Sequence, residues 1–166
     1  MSVTNDIAAS YRRPGTVLRA HLARGVSEPR VLAYLIGACG VMFVAQWPRL
    51  AREAHLEDTA LQPAIGGALL ATMMFLPLIF YVIAGISHLA ARAFGSGMDG
   101  FGARLALFWA LLAAAPLALL HGLVAGFVGP GSAQALVGLG WLAAFVWFWS
   151  TGLREAHRDA KSEVSA

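Results

Sequence analysis

Charge is what the second half of this sequence lacks. From Leu105 to Leu153, 49 consecutive residues, there is no Asp, Glu, Lys or Arg. Cysteine is scarce too: Cys39 stands alone inside an apolar run, which excludes an intramolecular disulfide or a C-x-x-C metal or redox pair and leaves a small packing residue. One lysine stands against 11 arginines, with abundant Ala and Gly, a bias associated with GC-rich bacterial coding. The first 30 residues hold no apolar segment of the kind a signal peptide needs, so the first membrane helix is expected to serve as its own insertion signal. Nucleophile elbow, H-E-x-x-H, P-loop and paired carboxylates are all missing. The expectation is a protein that is not an enzyme and takes no cofactor or metal.

What is present is apolar. Hydrophobic residues make up 58% of the 166 and charged ones 13%, against roughly 25% charged in a soluble domain. With a mean hydropathy of +0.67 the chain reads as one small polytopic membrane domain. The net charge of +3 comes from residues at the ends of apolar segments. Topology and membrane lipids account for them, and no nucleic-acid partner is implied.

Threading follows from lengths. A bilayer core of ~30 Å takes about 20 helical residues, so the Leu105–Leu153 run is two crossings. Gly129-Pro130-Gly131 is the place inside it with turn chemistry, which puts Arg104 and Arg154 on the same side. The third and fourth membrane helices are then about Leu105 to Phe127 and Ala133 to Leu153. Before them, Ser27-Glu28-Pro29 reads as a helix start, with Ser27 able to cap. The first membrane helix runs from about Val31 to Trp47, where Pro48 is expected to stop it. Arg49 to Thr59 is a mixed-charge connector, and Thr59 to Ala91 is a second apolar run of 33 residues crossing once, with a kink expected at Pro77. Met1 to Arg13 is expected to be mobile. Thr16 to Gly25 is a short basic amphipathic helix, suited either to the headgroup region or to docking on the bundle. Residues 1–27 thus form an amino-terminal segment, 28–153 the membrane domain and 154–166 a charged tail. The fold class is all-α: a polytopic membrane helix bundle of four transmembrane helices with an amino-terminal amphipathic helix.

Counting Lys and Arg orients it. With the amino terminus inside, ten basic residues fall in the cytoplasm and only Arg49 and Arg52 outside. Both termini are therefore expected in the cytoplasm of a bacterial inner membrane.

Few motifs carry chemistry. Gly95-Ser96-Gly97-Met98-Asp99-Gly100 matches G-x-G-x-x-G, but a membrane helix precedes it where a strand is required, so no dinucleotide site follows. Gly97 and Gly100, like Arg19 and Arg24, remain candidates for contact with a lipid headgroup. Gly122 and Gly126 form a G-x-x-x-G, where missing side chains let a second backbone approach, either within the chain or from a second copy. Gly37 and Gly67 mark similar small-residue faces. His121 is the ionisable side chain well inside a bilayer segment, and such groups are functional candidates by default. The five histidines scatter across compartments, so no metal site follows.

Several stretches resemble bacterial members of the Yip family of Ypt/Rab-interacting membrane proteins. They are Arg12-Arg13-Pro14 through Gly25-Val26-Ser27-Glu28-Pro29-Arg30, the helix end Trp47-Pro48, Leu76-Pro77-Leu78 through Tyr81, and Arg104 to Pro116 (RLALFWALLAAAP). The resemblance implies an all-helical integral membrane domain with a cytoplasmic amino terminus, and a non-enzymatic role in membrane organisation. Eukaryotic relatives usually have five membrane helices and an Asp-Leu-Tyr-Gly-Pro signature that this chain lacks, and no catalytic residue carries over. The expected function is that of a structural or assembly partner of a larger membrane complex, meeting lipids and other integral membrane proteins or a second copy of itself. The competing expectation is a small transporter or channel subunit with a pathway past His121.

Overall fold

A computed structural model describes residues 2–93 and 97–164. The elements are α1 (Val3–Ser10), α2 (Pro14–Leu22), α3 (Glu28–Leu56), α4 (Leu61–Leu70), a π turn (Ala71–Phe75), α5 (Leu76–Ala93), α6 (Gly100–Phe127) and α7 (Ser132–Val164). Because α4, the π turn and α5 form one continuous rod, Leu61–Ala93, four helices are long and apolar enough to cross a membrane. The protein is a multi-pass membrane helix bundle.

Helix ends depart from the hydropathy boundaries wherever a charged stretch finds partners. α3 does not stop at Pro48 but runs on to Leu56, so most of the expected connector is helix. Proline costs one ladder bond there, and its ring lies against the bare backbone of Gly126. Beyond it, Arg52 Nη1 donates to the carbonyls of Gly126 (3.3 Å) and Phe127 (3.5 Å), a cation on the carboxyl end of α6. α6 begins at Gly100 rather than Leu105, because Asp99 caps it by accepting from the Gly102 N–H at 2.7 Å. α7 continues through the charged tail to Val164. Ser27 occupies the cap position of α3 but makes no side-chain cap bond; Glu28 beside it pairs with Arg104 instead.

The turn at Gly129-Pro130-Gly131 is present. Gly129 ends α6 with φ of +91°, a conformation that favours glycine, and its N–H closes on the Val124 carbonyl at 3.1 Å. In the Leu61–Ala93 rod the ladder widens one turn before Pro77 rather than at it. Leu76 donates to the Ala71 carbonyl, five residues back. Widening relieves the clash between the proline ring and the preceding turn.

α6 is the centre. Of its most apolar stretch 56% is buried within the protein, against 33% for α3 and 17% each for the Leu61–Ala93 rod and α7. From Leu105 to Ala115 every side chain of α6 is buried, among them Phe108, Leu111 and Trp109, packed on Leu35 and Cys39 of α3 and Phe148 of α7. The other half of α6 is less enclosed: Pro116, Leu119, Leu120 and Leu123 are exposed.

The expected mobile segment is instead a docked cap. The Trp109 indole donates to Ser10 Oγ at 3.1 Å, Ser10 donates to the Asp6 carbonyl at 2.8 Å, and Tyr11 stacks edge-on against Phe148. α2 turns its stripe of Val17, Leu18 and His21 inward. Underneath, Glu155 of α7 is buried with Arg19 Nε at 3.0 Å and Arg158 Nη1 at 3.0 Å.

Candidate functional site

Two polar centres stand out, one at each end of the bundle. The first lies under the cap. His21 is fully buried, its Nδ1 3.2 Å from both the Tyr34 hydroxyl and Arg24 Nη1, and its Nε2 3.6 Å from Asp6 Oδ2. Its ring lies 4.3 Å from that of Trp109. Arg30 reaches over to donate to the carbonyls of His21 (3.3 Å) and Gly25 (2.6 Å). Burial, and after it the Arg24 charge, hold the His21 pKa down at about 4, with Asp6 pulling the other way and Arg30 adding to the depression. A neutral ring accepting at Nδ1 and turning an Nε2–H toward Asp6 fits all four neighbours. This centre ties α1, α2, α3 and α6 together, with His21 Nε2 near Asp6 but outside hydrogen-bond distance.

The second centre is a cavity of about 850 Å³ between α3, the α4–π turn junction, α6 and α7. Such a volume is in the range that holds a small-molecule ligand. Small residues create it. Gly122 of α6 rides directly on the α3 backbone: a Cβ there would lie 1.8 Å from the Ala45 carbonyl oxygen, and one at Gly126 would lie 2.3 Å from Pro48 Cβ. Ala45, Ala118, Ala125, Ala135 and Gly138 then leave no side chains long enough to fill the space beside this crossing.

Its walls are apolar with a few polar groups. Gln46 Nε2 donates to Thr72 Oγ1 at 2.8 Å, joining α3 to the π turn. At the rim, Arg49 Nη1 holds Glu53 through both carboxylate oxygens, at 2.7 and 2.9 Å. His121 lines the cavity and packs on Gly138, whose Cβ position would be 3.2 Å from the imidazole Nε2. The ladder adds acceptors. Leu76 gives its N–H to Ala71, and Pro77 has none, so the carbonyl of Thr72 on the cavity wall loses the donor an α-helix would send it.

The residues singled out from the sequence therefore separate. His121 and Gly122 meet at the cavity, with Gly126 one turn along. Gly37 has only Leu112 Cδ1 nearby, at 3.8 Å, and Gly67 faces open space. Arg19 and Arg24 pair inside the chain with Glu155 and Asp6. Gly97 is open, while Gly100 opens a helix whose amino end Asp99 already caps; Gly95 and Ser96 lie outside the described residues. Among the described residues no three His, Cys, Asp or Glu side chains gather as metal ligands. Sequence reasoning passed over Gln46, Thr72 and His21. The first two carried a readable signal, being uncharged polar residues within apolar runs, whereas nothing local distinguished His21 from the other histidines.

The chain matches no protein-family model, no curated protein and no solved structure.

Proposed function

We propose that this multi-pass protein acts without chemistry of its own, as an organising or assembly partner for other integral membrane proteins in a bacterial inner membrane, in the manner the Yip family resemblance implies. The observation that carries this reading is the unequal burial of the helices. The Leu61–Ala93 rod is the most hydrophobic of the four, with a mean hydropathy of 2.3 over its best stretch, yet only 17% of that stretch is buried within the protein. Its outer face presents Leu70, Met74, Leu78, Val82 and Ile86. A rod so lightly held by its own chain is free to pack on another.

Catalysis finds little support in the cavity, where the one ionisable side chain besides His121 is Arg49, already paired with Glu53. A pore past His121 is the weaker alternative, since it would have to continue through Ala114, Leu111 and Phe108, all fully buried. A photoreactive amino acid at Met74, illuminated in native membranes, is expected to give discrete protein adducts. Adducts with lipid alone would defeat the assembly role.

The proposed orientation puts both termini in the cytoplasm, on the 10-to-2 division of basic residues. Native Cys39 is fully buried, so introduced thiols report cleanly. On intact cells a membrane-impermeant maleimide is expected to label S132C and spare S2C until lysis. The reverse pattern would invert the orientation, and labelling of both would break the four-pass threading.

A further inference from the structure

The space between α3, the π turn, α6 and α7 is not a place for water or for a charged headgroup. Its walls are mainly Ala, Gly, Leu and Met, and water in a cavity needs several polar partners. The rim charge is cancelled, because Arg49 is held by both oxygens of Glu53, so no free cation waits for a phosphate. The polar groups lie further in. His121 is six residues from the end of α6 and Gly138 six from the start of α7, which places this level about 9 Å inside the helix ends.

Two polar groups with capacity to spare line the same cavity, His121 on α6 and Thr72 on the π turn. Among the described residues His121 makes no hydrogen bond with another protein group, and its imidazole can donate or accept. On the π-turn wall of the cavity Thr72 has a carbonyl that lost its ladder donor, since Leu76 turns to Ala71 and Pro77 has no N–H, and π turns recur at functional sites. Polar groups left unmatched on an apolar wall are unfavourable inside a bilayer.

From this juxtaposition we infer that the cavity holds one uncharged long-chain lipid, drawn from the bilayer, with a hydroxyl and ester-carbonyl head of the diacylglycerol kind. The hydroxyl donates to the Thr72 carbonyl freed at the π turn, the ester carbonyl accepts from His121, and the chains lie along Leu139, Leu142 and Met42. This site goes beyond the assembly role and does not depend on it.

The test uses purified full-length protein in nanodiscs, without partners, so its outcome is separate from that of the assembly proposal. Two probes with identical photoreactive chains are compared, one a diacylglycerol and the other a phosphatidylglycerol. The diacylglycerol is expected to label peptides 42–49, 118–125 and 135–142. His121→Leu is expected to weaken that labelling about tenfold, the equivalent of one good hydrogen bond. Ala135→Trp, at an exposed position on the cavity wall, is expected to abolish it. The phosphatidylglycerol is expected to label the outer face of the Leu61–Ala93 rod and to ignore both substitutions. Equal labelling of the cavity peptides by the charged probe would overturn the proposal, as would neutral labelling indifferent to Ala135→Trp. If that variant does not fold, competition by unlabelled diacylglycerol on the wild-type protein decides, and labelling that resists competition overturns the site.

Discussion

Replacing Gly122 by leucine is expected to break the bundle. A Cβ at that position would lie 1.8 Å from the Ala45 carbonyl oxygen and 2.7 Å from its carbonyl carbon. Both are backbone atoms of α3, so no side chain can swing aside. The two helices must separate, and they form the most extensive helix pair in the protein. Overpacking a core commonly costs ~1–3 kcal/mol, and a backbone collision belongs at or beyond the top of that range. Gly126→Leu is expected to act in the same way through Pro48, whose Cβ lies 2.3 Å from the added atom. Gly67→Leu and Gly140→Leu are the controls, because nothing lies within 4 Å of a Cβ at either. Those two are expected to change stability by less than about 0.5 kcal/mol. Unfolding titrations in mixed detergent micelles make the comparison. Equal stability of the Gly122 and Gly67 variants would mean that α3 and α6 do not cross as described.

Acid is expected to loosen the cap through His21. The ring is neutral in both folded and unfolded chains above pH 6.5. Between there and about 4 only the unfolded chain takes up the proton, because burial and the Arg24 and Arg30 charges hold the folded pKa down. Stability therefore falls as the pH falls through this window, and the loss is complete below about 4. The full loss amounts to about 3 kcal/mol, enough to release α1 and α2 while the membrane helices stay together. The groups that face His21 are Asp6 from α1, Arg24 beyond α2, and Arg30 and Tyr34 from α3, with the Trp109 ring from α6. Attraction to Asp6 opposes the release but is the smaller effect. Hydrogen exchange of the α1 and α2 amides relative to those of α6, corrected for intrinsic rates, is the measurement. Wild type is expected to lose cap protection between pH 7 and 4.5, and His21→Gln to lose much less. Identical pH profiles for the two would place the acid sensitivity elsewhere.

Where the reading from sequence missed, it treated hydropathy as a measure of helix length. Pro48 and the charges after it looked like an end, yet α3 continues because Arg52 finds the carboxyl end of α6 and Pro48 finds Gly126. The tail after Leu153 reads from its charge as lying outside the membrane domain, yet Glu155 and Ala156 are buried beneath α2 and α6. Hydropathy marks where lipid is, and a helix is free to extend past lipid wherever its polar groups are matched. The amino-terminal segment was misjudged for a related reason. Asp6 and Ser10 are polar, and it takes Trp109, His21 and Arg24, all outside α1, to make their burial favourable.

By itself the sequence determined the number of crossings, the turn at Gly129-Pro130-Gly131, and the Gly122 and Gly126 face that admits a second backbone, though not that Gly37 and Gly67 lack one. These depend on length, turn chemistry and side-chain size, which are properties of neighbouring residues. Only the tertiary structure decided that α3 is the helix seated on Gly122, that α1 and α2 seal one end, and that a cavity opens at the other. Each of those depends on groups distant in the chain: Gln46 with Thr72, Ser10 with Trp109, Arg19 with Glu155. A void or a buried pair is set by what several segments fail or manage to fill together, and no single segment carries that information.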